Sequence, residues 1–423
     1  MAGIAIDISP LKNSRDFRNL WSAGLVTYLG SMITYVAVPF QIKELTHSYV
    51  AVGLSGLVEI LPLIIFGLYG GVLADAVDRK KMVWATEAAS LILTAILFVN
   101  ALLPDPHLVL IYVVSGLFAA VNGLQRPSMD AALPRLVEHK DLAAASALMS
   151  VRWQLGVIVG PTIGGIIISS FSISAGYAVD VFTFIISLIF LSRVRSIPAS
   201  KEAEKPSLAG LLEGIRYAFS RQDLLGTYLV DLAAMFFAMP TALIPFWADQ
   251  LGTPWALGLM YAAGTVGSVI ITLTSGWTKN YSRHGRAIMW AAMGWGTAIA
   301  LAGVWNSLIL VLIFLTLAGA SDMVSALFRS TMWNQTIPDN LRGRLAGIEL
   351  LSYSIGPLAG QMRAAAMAAA TTLSISVTYG GIICVIVVAL LASFMPKFRE
   401  FDAKTNEFAL AKVRENELRD KGE

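Results

Sequence analysis

Five ionisable residues lie inside long apolar stretches: Glu59, Arg152, Asp231, Asp322 and Glu349. A charge near the middle of a bilayer costs at least about 2.5 kcal/mol on insertion scales, so such residues are functional candidates by default. Arg152 is the strongest, because a guanidinium cannot shed its charge by losing a proton and needs an acidic partner, an anionic ligand or water. It is expected either to attract an anionic or phenolate-bearing molecule or to pair with a carboxylate that cycles protons. A structural ion pair is the plainer alternative. Asp231, Glu59 and Asp322 are candidates for that carboxylate, with Glu349 nearer the inner side, since a carboxyl in apolar surroundings can exchange a proton near working pH. Glu87 and Asp180 rank lower, as they fall nearer the ends of their stretches, and Arg363 is expected to snorkel outward. Tyr28, Tyr35, Phe236, Phe237, Trp247 and Tyr353 could line an aromatic cavity, although such rings more often serve as packing or interfacial anchors.

Other chemistries find no residues. One cysteine, Cys384, in an apolar run excludes a disulfide framework, a Cys-rich zinc site and an iron–sulfur cluster. The four histidines, His47, His107, His139 and His284, sit at loop-like positions without metal-ligand spacing, so no metal and no cofactor is expected. No Gly-x-x-x-x-Gly-Lys-Ser/Thr stretch cradles a nucleotide, and no clustered His, Asp or Ser set suggests an enzyme. Work done by this chain must draw on an ion gradient or an outside source.

These residues need elements to hold them. The chain has 423 residues, 56% hydrophobic and 14% charged, with a mean hydropathy of +0.68. Soluble domains carry about a quarter charged residues, so this is a bilayer composition. A helix crosses the hydrocarbon with about 20 apolar residues. Runs of that size fall near 17–42, 50–74, 81–103, 108–130, 142–170 and 173–195, then near 223–249, 253–278, 286–304, 307–333, 343–370 and 372–396. With both ends placed in the cytoplasm, 28 of the 31 Lys and Arg fall on inner segments and only Lys43 on an outer loop, the remaining two being Arg152 and Arg363 within helices. Cytoplasmic flanks retain cations, so this segregation supports twelve spans.

Pro198, Pro206 and alternating Lys and Glu interrupt the pattern at the centre, dividing a bundle over 1–195 from another over 223–396. In the intervening 196–222, Ser207 can cap a short helix with Leu208, Leu211, Leu212, Ile215 and Phe219 on one face, suited to lie along the membrane surface. The segment 397–423 is read as a solvated cytoplasmic tail. The basic N-terminus precedes a run too long for a cleaved leader, so the first helix is expected to be retained.

The halves echo each other. Arg126-Pro-Ser-Met129 recurs as Arg329-Ser-Thr-Met332, and Gly160-Pro161-Thr162-Ile163-Gly164 recurs as Gly356-Pro357-Leu358-Ala359-Gly360. Two matches in order at equivalent spans argue for a duplicated six-helix unit, and two such bundles are expected to bind substrate where they face each other.

The loop after the second span reads Gly70-Gly71-Val72-Leu73-Ala74-Asp75-Ala76-Val77-Asp78-Arg79-Lys80-Lys81. It resembles the Gly-x-Leu-Ala-Asp-Arg-x-Gly-Arg-Lys signature of the major facilitator superfamily at Gly71, Leu73, Ala74, Asp75, Arg79 and Lys80, and departs from it at Ala76 and Asp78. The resemblance implies a cytoplasmic gate in which the Asp faces a helix N-terminus and the Arg joins a charge relay. The fifth span carries Gly156-x-x-x-Gly160-Pro161-x-x-Gly164-Gly165, similar to the helix-bend motif that marks exporters within the superfamily. Arg126-Pro, Pro134-Arg-Leu-Val137, Asp141-Leu142, Ser150-Val-Arg152, Trp247-Ala-Asp249, Gly258-Leu-Met-Tyr261 and Thr274-Ser-Gly276 extend the resemblance to the enterobactin (siderophore) exporter group, from about Phe17 to Pro396.

The expectation is therefore an all-α membrane protein of major facilitator fold, with twelve transmembrane helices in two pseudo-symmetric six-helix bundles. The resemblance implies a proton-coupled exporter in a bacterial inner membrane that works by alternating access. Its partners would be a small amphiphilic molecule, most simply a catecholate-type siderophore, together with protons and the lipid bilayer, with no nucleic acid and as a monomer. A drug or macrolide is the alternative cargo. A channel is disfavoured, because a selective pore wants a ring of repeated polar groups rather than scattered single charges.

Overall fold

In lipid every backbone N–H and C=O must find a partner within its own segment, so apolar runs of this length become helices. The computed structural model describes residues 7–198, 216–412 and 414; at 68, 71, 72, 74–76, 130, 131, 339–344 and 346–352 the backbone alone is described. The first half holds α1 (Arg15–Thr46), α2 (Tyr49–Ala76), α3 (Arg79–Leu102), α4 (Leu108–Leu136), α5 (Leu142–Ser170) and α6 (Ile173–Ser192). The second holds α7 (Gln222–Ala238), α8 (Ile244–Gln250), α9 (Leu257–Thr274), α10 (His284–Val304), α11 (Leu308–Thr336), α12 (Asp339–Ala370) and α13 (Leu373–Phe394). Among the described residues 11 helical spans are long and apolar enough to cross a membrane, α7 and α8 together forming one of them. The further long helix is α12, whose first half is described by its backbone alone. Among the described residues the fold is all-helical.

Local sequence sets the boundaries. Ser14, Ser48, Asp78, Ser172 and Thr372 each stand just before a helix and accept a hydrogen bond from a backbone N–H in its first turn. His47 ends α1 in the left-handed region, φ 49°, so that two long helices turn back on each other within two residues. The seventh span breaks at Met239-Pro240, where proline has no N–H to donate; Leu243 N–H closes a turn on Pro240 C=O at 2.8 Å before α8 begins.

The helices pack into two compact units. Unit 1 comprises residues 1–206 with 244–262, and unit 2 comprises 207–243 with 263–423. The segment 244–262 thus groups with the first half, although it lies in the sequence of the second. Phe246 packs on Tyr49 with ring centroids 4.4 Å apart, Tyr261 meets Tyr35 edge-on at 5.7 Å, and Asp249 pairs with Lys43. Within unit 1, α1 lies against α5 and α6, α3 against α4 and α6, and α2 against α4; within unit 2, α10 lies against α11 and α13, and α7 against α12 and α13.

The segment after α13 is not the solvated tail that its composition suggests. Phe398 and Phe401 are 0% and 2% exposed, and Lys412 is 7% exposed. Phe398 fills the surface left bare by Gly226 of α7, Phe401 stacks on His284, and Phe408 covers the Arg221 guanidinium at 3.5 Å. Arg221 is also bound by Asp223 and donates to Thr336 C=O at 2.9 Å, so the tail closes over the chain ends of α7 and α11. The apolar phenylalanines spaced through a charged stretch are what bind it there.

The turn that starts this docked segment depends on Asp402, which accepts from the Lys404 N–H at 3.0 Å and lies 4.0 Å from Arg283. The Lys404 N–H, aided by Ser282 and Arg283, holds the Asp402 carboxyl below its usual value of 3.8. A depressed carboxyl contributes stability above its unfolded pKa and loses it as pH falls through the folded one. A spin label at the exposed Leu410 should therefore gain mobility as pH falls below 3.8. Asp402→Asn should produce a smaller gain at neutral pH, worth under about 1 kcal/mol as for other partly exposed pairs.

Of the surface helix expected between the halves, Ser207, Leu208, Leu211, Leu212 and Ile215 lie outside the described residues, while Phe219 is 69% exposed at the end of a helical turn.

Candidate functional site

Unit 1 carries a buried polar seam along α1, α3, α5 and α6. Arg152, on α5, is 6% exposed. Its guanidinium lies against the bare backbone of Gly24 and 5.7 Å from the Tyr28 ring, and it acts electrostatically on Glu87 of α3. Glu87 accepts from Thr27 Oγ1 at 3.1 and 3.3 Å. Arg152 is therefore flanked by an aromatic face and a carboxylate, the arrangement that its charge requires.

Seven residues further along α1 and α3, Thr34 and Thr94 both donate to Asp180 Oδ2 of α6, at 2.5 and 3.5 Å, and Thr183 donates to Oδ1 at 3.1 Å. Asp180 is 0% exposed. Another seven residues along α1, Gln41 accepts from the Tyr177 hydroxyl at 2.7 Å. Two helical turns are about seven residues, so these groups share one face of α1. Glu87 and Asp180, ranked lower for their place along their spans, are thus buried among these helices. The signal that marks them is the repeated spacing of Thr27, Thr34 and Gln41 on one helix and of Glu87 and Thr94 on another.

The glycines of α5 work as a smooth face. A Cβ on Gly156 would meet Tyr28, on Gly160 Met32, and on Gly164 Ile33, all on α1. Past Pro161, Gly165 lies against the backbone of Gly258, whose own Cβ would strike Pro161 C=O. Small residues let helix backbones approach closely in lipid. In the repeat, Gly356 and Gly360 take the same role against α7, at Met235 and Phe236.

In the loop after α2, Asp78 caps α3 through the Lys81 N–H at 3.0 Å and binds Ser196. Burial works against its charge, but Ser196 Oγ and neighbouring backbone N–H groups outweigh it and hold the carboxyl below its usual range. Arg79, 4% exposed, donates through its backbone to Ile197 C=O and through Nη1 to Pro198 C=O, both at 3.0 Å, tying the loop to the chain leaving α6. Lys80 is half-buried. Gly71 and Asp75 lie on α2 with side chains outside the described residues, as is the side chain of Glu349 on α12.

Unit 2 centres on an ion pair. Arg329 of α11 is 7% exposed and pairs with Asp231 of α7, and its Nη2 lies 3.8 Å from Asp322, about two turns away on the same face of α11. Two of the three acidic candidates are thus brought onto one cation. Sequence reasoning counts Arg329, near the end of its span, as a flanking positive residue; in the fold it is buried on α11 against Asp231. Glu59 is half-buried on α2 and makes no hydrogen bond or ion pair among the described residues. Arg363, expected to snorkel, instead donates to the carbonyls of Phe236 and Ser376 at 3.2 and 3.5 Å.

The aromatic candidates divide. Tyr28 is half-buried beneath Arg152, Tyr35 and Tyr353 are 42% and 39% exposed, and Phe236 packs edge-on against Phe237 at 4.9 Å. Trp247 is 1% exposed and packs inside unit 1.

A multi-pass helical protein whose buried charges stand in paired, membrane-embedded clusters on a major facilitator fold is a secondary transporter, not an enzyme. Solved structures bear out the fold. The nucleoside transporter NupG superposes with a TM-score of 0.70 at 11% identity, covering 90% of this chain and 98% of that one. A POT family transporter in complex with 5-aminolevulinic acid superposes at 0.70 with 10% identity, covering 91% and 97%. The chain belongs to the transmembrane secretion effector family, which it matches over residues 5–422. It is 29% identical over 400 residues to the enterobactin exporters EntS of Shigella boydii serotype 18 and Escherichia coli O81, covering 94% of this chain and 95% of each relative.

Proposed function

We propose that this transporter exports a catecholate-type siderophore, or a similar amphiphilic aromatic metabolite, across a bacterial inner membrane by proton-coupled alternating access. The observation that carries the cargo class is the 29% identity to enterobactin exporters along 94% of the chain. The direction rests on the glycine–proline face of α5, and the chemistry suits the cargo: Arg152 beside Tyr28 offers a cation and a ring to an anionic aromatic. Asp231 and Asp322 at Arg329, with Glu59 and Glu349, are the carboxylates proposed to exchange protons. Gly71, Asp75, Arg79 and Lys80 are proposed as the cytoplasmic gate. Tyr28, Tyr35, Phe236, Trp247 and Tyr353 are proposed as cargo-side aromatics, Trp247 acting from within the packing. The protein is proposed to work as a monomer; that both termini lie in the cytoplasm is supported by the sorting of Lys and Arg.

The test is the medium of an iron-starved culture. Deleting the gene should remove a catecholate from the medium and retain it in the cells, and an uncoupler should reproduce the loss. Arg152→Ala at unchanged expression should do the same. Unchanged catecholate secretion by the deletion strain, with retention of a drug or macrolide instead, would assign the protein to drug efflux. Efflux that continues under the uncoupler would reject proton coupling.

A further inference from the structure

We infer that Asp180 is a proton-binding site of unit 1, separate from the acidic residues at Arg329; its use in transport rests on the proton-coupled reading above. Three observations support this. Asp180 is enclosed on all sides, at 0% exposure, and α1 is pressed so close that a Cβ on Gly30 would collide with Thr183 and with Asp180 itself. Its oxygens meet three threonine hydroxyls, Thr34, Thr94 and Thr183, from α1, α3 and α6. No ion pair joins it to a cation among the described residues, in contrast to Asp231.

A hydroxyl can donate or accept by rotating its hydrogen. A carboxylate in this ring accepts three hydrogen bonds. A protonated carboxyl can donate its own hydrogen to one threonine, whose hydroxyl then turns to another acceptor, such as the Asp180 backbone carbonyl that Thr183 already reaches at 2.7 Å. Both protonation states are therefore satisfied without moving a helix, which a carboxylate fixed to a guanidinium is not. The charged and titratable groups around Asp180 are Glu87 from α3, Arg152 from α5 acting through Glu87, and Tyr177 one turn away on α6; α1 presents threonines and Gln41. A proton on Asp180 relieves its repulsion of Glu87, the carboxylate on which Arg152 acts. Occupancy of one carboxyl thereby changes how firmly Arg152 is held.

Infrared difference spectra of the purified full-length protein, acid minus neutral pH, test this directly. One component of the protonated-carboxyl absorption, distinct from those of the other carboxyls, should shift with carbon-13 aspartate and be lost in Asp180→Asn, while Asp180→Glu replaces it with a component that does not shift with that label. Should Asp180→Asn fail to fold, Thr34→Val, which keeps the side-chain shape and removes one hydroxyl, should move the midpoint of that component. A spectrum from which Asp180→Asn removes no component, or a set of midpoints that Thr34→Val leaves unmoved, overturns the assignment. In proteoliposomes, enterobactin uptake driven by a pH gradient should fall at least tenfold in Asp180→Asn and return in Asp180→Glu; gradient-driven uptake equal to that of the unmodified protein overturns the role in coupling. If the unmodified protein takes up enterobactin without responding to the gradient, the proton-coupled reading fails, and the infrared result still decides whether Asp180 binds the proton.

Discussion

Asp231→Leu should cost about 3–5 kcal/mol of stability and abolish gradient-driven transport, because it leaves the buried Arg329 guanidinium without the carboxylate it pairs with. Asp322 cannot replace it: at 3.8 Å and with a side chain 36% exposed, it solvates Arg329 from one side only. The double variant Asp231→Leu/Arg329→Met removes both charges and fills similar volume, so its thermal stability in detergent should return towards that of the unmodified protein. Its transport should not return, since a coupled cycle needs the ionisable groups. A single variant that melts with the unmodified protein would show that the pair carries no weight in folding. Transport restored in the double variant would show that it carries none in coupling.

Gly258→Val should lower transport at least tenfold and destabilise unit 1 by about 1–3 kcal/mol, as overpacking does elsewhere. Its Cβ would sit 2.7 Å from Thr162 Cα and 2.8 Å from Pro161 C, both backbone atoms that no rotamer change can clear. Either α5 at Pro161 or the start of α9 must move. Gly276→Ala is the matched control, since nothing lies within 4 Å of its Cβ position, and it should transport and melt as the unmodified protein does. Equal transport by Gly258→Val would remove the glycine–proline face from the transport cycle.

These expectations draw unequally on sequence and structure. The helices are legible because their cause is local: a run of apolar residues in lipid has no alternative to its own backbone hydrogen bonds, and Ser, Thr or Asp before the run supplies the cap. The largest departure is the break at Met239-Pro240, where one expected span from 223 to 249 becomes α7 and α8. The glycine face of α5 is also legible, because spacing on a single helix defines it, and its duplicate at Gly356 and Gly360 packs in the same way.

The pairing of charges is not legible. Arg152, Asp231 and Asp322 stand out as costly residues, but which carboxylate answers which cation depends on helix rotation and, for Arg152 with Glu87 and Asp231 with Arg329, on helices far apart in the chain. Arg329 reads as a flanking charge because it lies near the inner end of its span, and Glu87 and Asp180 rank low because they lie nearer the ends of theirs; what buries all three is the packing of neighbouring helices. The composition of the tail misleads because it averages over Phe398, Phe401 and Phe408, three residues that find bare glycine, histidine and arginine surfaces.

By itself, then, the amino-acid order determined a membrane protein of twelve spans in a duplicated array, with its capped helix ends and the small-residue face of α5, since each follows from interactions within a few residues of chain. Tertiary structure alone decided that Arg152 faces Glu87 and Tyr28, that Arg329 takes Asp231, that three threonines close around Asp180, and that residues 244–262 join the first unit. Those contacts join residues far apart in the chain, and their partners are set by which helix faces meet, a property that no single segment contains.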